Sequence, residues 1–325
     1  MGVRIPPPAL PRSYEDTLHG ERIADPWRWL EDSTRSETQA FLAAQSKYSR
    51  AVLTRLVGLD SLERLVADAL ANAPTLNDVA PAADRIFMTR WLGTAASLVV
   101  FDSTSSRERV LWHADSIATL RAGSRLRAIT PSWNGRVVAV GLTNAGDQNA
   151  SLIVLDATTG RPMPDVIPDL LTTTSGTRYQ VTWLPDGSGF FYPRLWPGST
   201  KGPAVDKLAR GRQFLHRLGT TQSDDVPVFG FDVSPKLAVD REDLPTRIHT
   251  APGSAWLLAS LYRVKASGTD WYVAPLRGTL TRTPDWTPLA NATDALSAVQ
   301  LRGDTVYALS HANAERGRIV RRVLG

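Results

Sequence analysis

The chain has 325 residues, 42% of them apolar, and carries a formal net charge of +5. That length suffices for one large domain or two ordinary ones, with a sizeable buried core. Cysteine is absent, which excludes disulfide scaffolds, thiol nucleophiles and thiolate metal sites.

The positive balance does not point to a nucleic acid or a membrane. Thirty-two of the 37 basic residues are Arg, scattered along the chain, whereas a nucleic-acid footprint is clustered. No apolar run approaches the length of a bilayer-crossing helix. Residues 1–10 lack a charged region followed by an apolar stretch, which predicts a cytoplasmic chain, with the periplasm as the alternative if the start is misassigned.

Residues 1–13 hold Pro6, Pro7, Pro8 and Pro11, which cannot propagate a helix, so this segment is expected to be extended. Two helices follow. Thr34-Arg35-Ser36-Glu37 has the spacing of a capping box, and behind it Phe41, Ala44, Tyr48, Val52 and Leu56 form one apolar stripe. Gly58 is the expected stop. Asp60 is the expected cap of the second helix, with Leu62, Leu65, Val66, Ala69 and Leu70 on its buried face, and Asn72-Ala73-Pro74 ends it. Residues 1–75 thus form one region and residues 76–325 another.

From residue 76 short strands alternate with turn clusters. The clearest strands are 86–91, 98–101, 137–142, 152–155, 181–184, 190–192, 256–262, 271–273 and 306–309. A turn that launches an apolar strand recurs at Asp84, Gly135, Gly187, Gly253 and Gly303, at intervals of 51, 52, 66 and 50 residues. The long interval holds residues 193–211, rich in Gly, Pro and Lys, which read as an inserted loop. A repeat of this length with several strands is the pattern of a β-propeller blade. A β-sandwich is the alternative, but it needs no constant period. Gly146-Asp147 is read as a tight turn closed by a carboxylate. The fifth repeat is short of strands at its C-terminal end, so the fold class is mainly β, an incomplete propeller of about five blades behind two helices.

Residues 14–32, Y-E-D-T-L-H-G-E-R-I-A-D-P-W-R-W-L-E-D, are the most specific stretch of the chain. With Tyr14, Asp16, His19, Gly20, Asp25, Pro26, Trp27, Arg28, Trp29, Leu30, Glu31 and Asp32 it resembles the N-terminal signature of the prolyl oligopeptidase family of serine peptidases, Trp27 replacing the usual Tyr. Further segments resemble the family in the same order. They are Gly141 to Asp147, Trp183 to Tyr192 (W-L-P-D-G-S-G-F-F-Y), His216-Arg217-Leu218-Gly219-Thr220 with Gln222, Asp224 and Asp225, and His311 to Ala314. The resemblance implies a seven-bladed propeller covering an α/β-hydrolase domain that carries Ser, Asp and His. Nothing in the chain resembles that hydrolase domain or the last blades.

The residues themselves carry no catalytic constellation. No Gly-x-Ser-x-Gly elbow is present; Gly187-Ser188-Gly189 has the wrong spacing and reads as a propeller turn. The five histidines, His19, His113, His216, His249 and His311, show no metal-ligand spacing. Glu31-Asp32 reads as helix-start charge rather than a catalytic pair. No catalytic residue, metal or cofactor is therefore expected. By resemblance, Tyr14, His19, Gly20, Asp25, Pro26, Trp27, Trp29 and Leu30 would dock on the absent hydrolase domain, and Phe191 would line a pocket for a short peptide substrate. The residues alone equally allow Phe191 as a blade-core aromatic. The expected function is the non-catalytic N-terminal portion of a prolyl oligopeptidase-like endopeptidase, its propeller gating access of short peptides. The alternatives are a stand-alone binding module, or a subunit whose hydrolase partner is a separate chain.

Overall fold

The computed structural model describes residues 5–92, 95–113, 124–144, 150–170, 181–194, 208–276 and 283–325. The chain divides into two compact units, Met1–Ala73 and Pro74–Gly325.

In the first unit, an extended Pro-rich segment leads into a hairpin of β1 (Glu15–Leu18) and β2 (Glu21–Ala24). Its two-residue turn is His19-Gly20, with φ of +54° and +87°. Positive φ at both positions is what a hairpin turn matching the strand twist requires, and glycine adopts it without strain. A single 3-10 turn (Arg28–Glu31) precedes α1 (Ser36–Leu53) and α2 (Leu59–Asn72).

Three local expectations are corrected here. Thr34 does not cap α1: its hydroxyl donates to Asp32 Oδ1 (2.6 Å), and the helix starts behind an extended Arg35 with no side-chain cap. The nearby carboxylate outcompetes the helix for the hydroxyl. Gly58 does not end α1, which stops at Leu53; in a left-handed conformation it starts α2 instead, placing Asp60 inside the first turn. The apolar face of α2 is also not buried, since Leu62, Leu65, Val66 and Leu70 are all exposed.

The second unit is a series of antiparallel meanders. The first is β3 (Thr75–Ala82), β4 (Arg85–Leu92), β5 (Ala95–Asp102) and β6 (Arg107–His113). The second is β7 (Ser124–Pro131), β8 (Val137–Asn144), β9 (Ala150–Asp156) and β10 (Pro162–Leu170). The third is β11 (Thr182–Trp183), β12 (Gly189–Arg194), β13 (Arg212–Arg217) and β14 (Val226–Gly230). The fourth is β15 (Leu244–His249), β16 (Trp256–Arg263), β17 (Gly268–Pro275) and β18 (Thr287–Ala290). The fifth has three strands among the described residues, β19 (Leu296–Arg302), β20 (Thr305–Ser310) and β21 (Arg318–Val323). The second and third join through the pair Leu170↔Arg194.

Each repeating turn in the sequence links the first strand of a meander to its second. Gly135, Gly187, Gly253 and Gly303 all have positive φ, and Ala83 takes that conformation in the first meander. The regular spacing therefore marks one structural device used five times. The Gly146-Asp147 turn and most of the 193–211 insert lie outside the described residues.

Alternation along the strands gives the middle meanders two apolar faces. Val138 and Val140 of β8 pack toward the first sheet, with Phe87, Leu98 and Leu111. Ala139 between them packs toward the third, with Trp183, Phe190 and Tyr192. Leu257 and Leu258 of β16 likewise face the third and fifth sheets. A sandwich sheet buries one face; three sheets here bury both, which excludes that alternative. No core cluster among the described residues joins the outward faces of the first and fifth meanders.

Gly189 shows how closely the strands approach. A Cβ there would lie 2.3 Å from the His216 carbonyl oxygen of β13. Gly189→Ala is expected to force β12 from β13 and cost about 2–3 kcal/mol, read as a lower urea midpoint at unchanged slope.

Candidate functional site

The signature residues fold on one another around Arg28 and Trp29. Arg28 pairs with Asp16 (2.7 Å), Asp25 (3.2 Å) and Glu31 (3.0 Å), and its guanidinium lies 4.9 Å over the Tyr14 ring. Asp25 also accepts the Trp27 backbone N–H at Oδ1 (3.1 Å), while the Asp25 N–H donates to the Tyr14 carbonyl (3.0 Å). Pro26 offers its carbonyl to the Arg12 N–H (3.0 Å), and the Leu30 N–H closes on the Trp27 carbonyl (2.9 Å). His19 and Gly20 form the hairpin turn.

Trp29 is spent inside its own unit. It is 9% exposed, its indole N–H donates to the Leu10 carbonyl (3.0 Å), and its ring stands edge-on to Phe41 at 5.9 Å. The buried Thr38 hydroxyl caps its carbonyl (3.0 Å). Trp27 and Tyr14, each 45% exposed, keep an aromatic face open. An open cleft of about 470 Å³ is lined by Tyr14, Asp25, Pro26, Arg28, Trp29 and Asp32, among others.

Phe191 requires a correction. It is fully buried between the third and fourth sheets, among Leu215, Phe229 and Leu257. With no exposed face it is a core side chain, not a pocket wall.

A second polar constellation is buried. The His216 ring on β13 faces Asp225 Oδ1 through Nδ1 (2.7 Å) and Asp165 Oδ1 through Nε2 (3.1 Å). Tyr192 donates its hydroxyl to Asp225 Oδ2 (2.6 Å), and the Gly219 N–H donates to Asp165 Oδ1 (2.6 Å). Burial opposes charge on the ring, but Asp225 and Asp165 outweigh it and hold the imidazole above the ordinary histidine value. Burial and the Asp225 carboxylate push the Tyr192 phenol up. The sequence motif supplied His216, Gly219 and Asp225 at fixed spacing. Asp165, 51 residues from its partner, carried no signal.

None of this forms a peptidase site. His216 has carboxylates but no hydroxyl nucleophile among its partners, and solvent does not reach it. Ser97 Oγ lies 3.2 Å from His113 Nδ1, but the two are exposed cross-strand neighbours. Among the described residues no carboxylate orients this imidazole, as a triad requires. Among the described residues no group of three or more His, Asp or Glu side chains could hold a metal ion.

His249 on β15 packs against the Trp271 ring at 5.6 Å. Burial, and then the Arg247 guanidinium, push it down to about 3. The unfolded chain takes up this proton from about pH 6.5 downward. The associated stability is therefore complete above that value and is lost as pH falls toward 3. His249→Gln is expected to remove roughly 2–3 kcal/mol of the stability lost between pH 7 and pH 4, measured by urea unfolding of both proteins at each pH.

The comparisons with known proteins agree with this architecture. The family model for the prolyl oligopeptidase N-terminal β-propeller domain matches residues 7–324. The chain belongs to the prolyl oligopeptidase family, as its N-terminal propeller domain. It is 23% identical over 313 residues to a prolyl endopeptidase of Elizabethkingia meningoseptica, covering 95% of this chain and 41% of the relative. It is 22% identical to a prolyl endopeptidase of Elizabethkingia miricola, with the same coverage. Among solved structures it is similar to a prolyl endopeptidase at TM-score 0.78 and 23% identity, covering 97% of this chain and 44% of that one. Prolyl oligopeptidase B from Galerina marginata, bound to a 35mer substrate, gives TM-score 0.75 at 16% identity, with 97% and 46% covered. The chain thus spans about two fifths of the length of the curated relatives it matches.

Proposed function

We propose that this chain is the non-catalytic N-terminal part of a prolyl oligopeptidase-like serine endopeptidase. Its five meanders are successive blades of a larger propeller that limits access of short peptides to an α/β-hydrolase domain outside the chain. The observation that carries this reading is the family match over residues 7–324 in a chain spanning two fifths of its relatives. The surfaces support it. Tyr307, Ile319 and Val323 on the outward side of the fifth meander, and Leu76 and Val110 on that of the first, are exposed, as a blade face awaiting its neighbour would be. Tyr14, Trp27 and the apolar side of α2 are open in the same sense, and they supply the surface that would dock on the hydrolase domain.

The test has two arms. The coding sequence continuing past Gly325 is expected to encode Gly-x-Ser-x-Gly followed by Asp and then His, and the 325-residue chain alone is expected not to cleave a proline-containing peptide. A downstream sequence without that order overturns the reading. So does hydrolysis by the isolated chain that is abolished by a serine-directed inhibitor.

A further inference from the structure

The buried histidine of the third meander joins residues from two sheets. Asp165 belongs to β10 of the second meander. His216 and Tyr192 belong to β13 and β12 of the third, and Asp225 stands just ahead of β14. The side chains of Asp165 and His216 are inaccessible to solvent, and that of Asp225 is nearly so.

Both nitrogens of the ring face carboxylate oxygens, at 2.7 and 3.1 Å. A neutral imidazole has one N–H, so one of its nitrogens would present a lone pair to an oxygen lone pair. An imidazolium donates to both. One further donor reaches each carboxylate: the Gly219 N–H at Asp165 Oδ1 and the Tyr192 hydroxyl at Asp225 Oδ2. Asp165 Oδ2 is buried without a hydrogen-bond partner, so the positive ring is the principal compensation for that carboxylate.

We propose that protonated His216 is a clasp fastening the second meander to the third, and that loss of its proton loosens this junction. The backbone link between the two sheets is slight, the pair Leu170↔Arg194. The rest of the junction is the apolar cluster of Ile167, Leu170, Trp183, Phe190 and Tyr192. The clasp adds a charged connection to that apolar junction.

The titratable groups around the ring, taken element by element, are Asp165 from β10, Tyr192 and Arg194 from β12, and Asp224 and Asp225 ahead of β14. Phe190 covers the ring at 5.0 Å. Three carboxylates stand against one guanidinium, Arg194, which lies over the Phe214 ring and donates to the Gln222 carbonyl. The charged form of the ring is thus the one the site favours. Because the folded-state proton affinity exceeds that of the unfolded chain, the clasp is complete below about pH 6.5 and is lost as pH rises through the folded-state value.

The experiment uses the full 325-residue chain with isotope-labelled histidine. The His216 resonances, identified in the wild type by through-space contact with the Phe190 ring 5.0 Å away, are expected to show an imidazolium with two protected N–H groups at pH 7, where free imidazole is mostly neutral. The unfolding constant of the wild type is expected to rise by up to tenfold per pH unit from about pH 6.5 up to the ring's folded-state titration point and to level off above it, and this slope is expected to vanish in His216→Gln. A neutral His216 ring at pH 6 overturns the proposal, and so does a His216→Gln protein with the wild-type slope. The resonance measurement needs only the wild-type fold, so it decides the matter even if the variant unfolds.

Discussion

Trp183→Ala is expected to lower the stability of the second unit by about 4 kcal/mol, within the range for removing a buried tryptophan. The side chain is 2% exposed and stands edge-on to Phe190 at 5.1 Å. Its indole N–H donates to the Thr130 carbonyl of β7 (2.8 Å), and its own carbonyl accepts the Thr250 hydroxyl (2.6 Å) and the Trp133 indole N–H (3.2 Å). One residue of the short strand β11 thus ties the second, third and fourth meanders together. Truncation removes the ring, opens a cavity and takes the indole donor from the Thr130 carbonyl. Trp183→Phe separates these effects: it keeps most of the packing, loses the hydrogen bond, and is expected to cost about 1–2 kcal/mol. Urea unfolding followed by circular dichroism measures both. Equal losses in the two variants would mean that packing is not what holds the junction.

Strands at the centre of a sheet buried on both faces read plainly in the sequence. β8, β12 and β16 sit inside the stack, so they are nearly continuous apolar runs, and the glycine turns ahead of them repeat because each needs positive φ. The strands without a clear signal are different. β3 pairs with β4 alone, and carries Asn77, a left-handed Asp78 and Pro81 around a register shift. β10 holds Pro162, Pro164 and Pro168, with two register shifts against β9. Proline and bulges belong at sheet margins, where the ladder is incomplete, and there they erase the alternation that reveals a strand. Thr34 does not cap α1 because Asp32, two residues before it, offers a closer acceptor.

Of the candidate sites, the signature was legible as a set but not in its division of labour. Its conspicuous tryptophan pair splits, Trp29 turning inward onto Phe41 and Trp27 staying open. The choice depends on Leu10 and Thr38, which lie outside the signature and meet Trp29 only after folding. Phe191 differs from Phe190 and Tyr192 only in the sheet it faces, a property fixed by register rather than by composition.

Arg263→Met is expected to cost about 3–4 kcal/mol, because it strands two carboxylates that are mostly buried. Arg263, at the end of β16, binds Asp270 Oδ2 through Nε (2.7 Å) and Asp243 Oδ2 through Nη1 (2.7 Å). It also donates to the Ala238 carbonyl (2.6 Å) and the Tyr272 hydroxyl (2.8 Å). Burial opposes its charge, but the hydrogen bonds to Asp270 and Asp243 outweigh that opposition. Those carboxylates reach further: Asp270 Oδ1 accepts the Ala292 N–H (2.9 Å), and Asp243 Oδ2 accepts the Asp240 N–H (2.9 Å). The guanidinium therefore holds the segment entering β15, the β16–β17 hairpin and the turn ahead of β19 in one arrangement. Lysine restores the charge but not the planar fork, so Arg263→Lys is expected to recover less than half of the loss. Adding Asp243→Asn and Asp270→Asn to Arg263→Met is expected to recover more than Lys does, since the penalty arises from uncompensated charge rather than lost attraction. If the triple variant is instead less stable than Arg263→Met, the carboxylates contribute through their own backbone hydrogen bonds, and the guanidinium is only one of their partners.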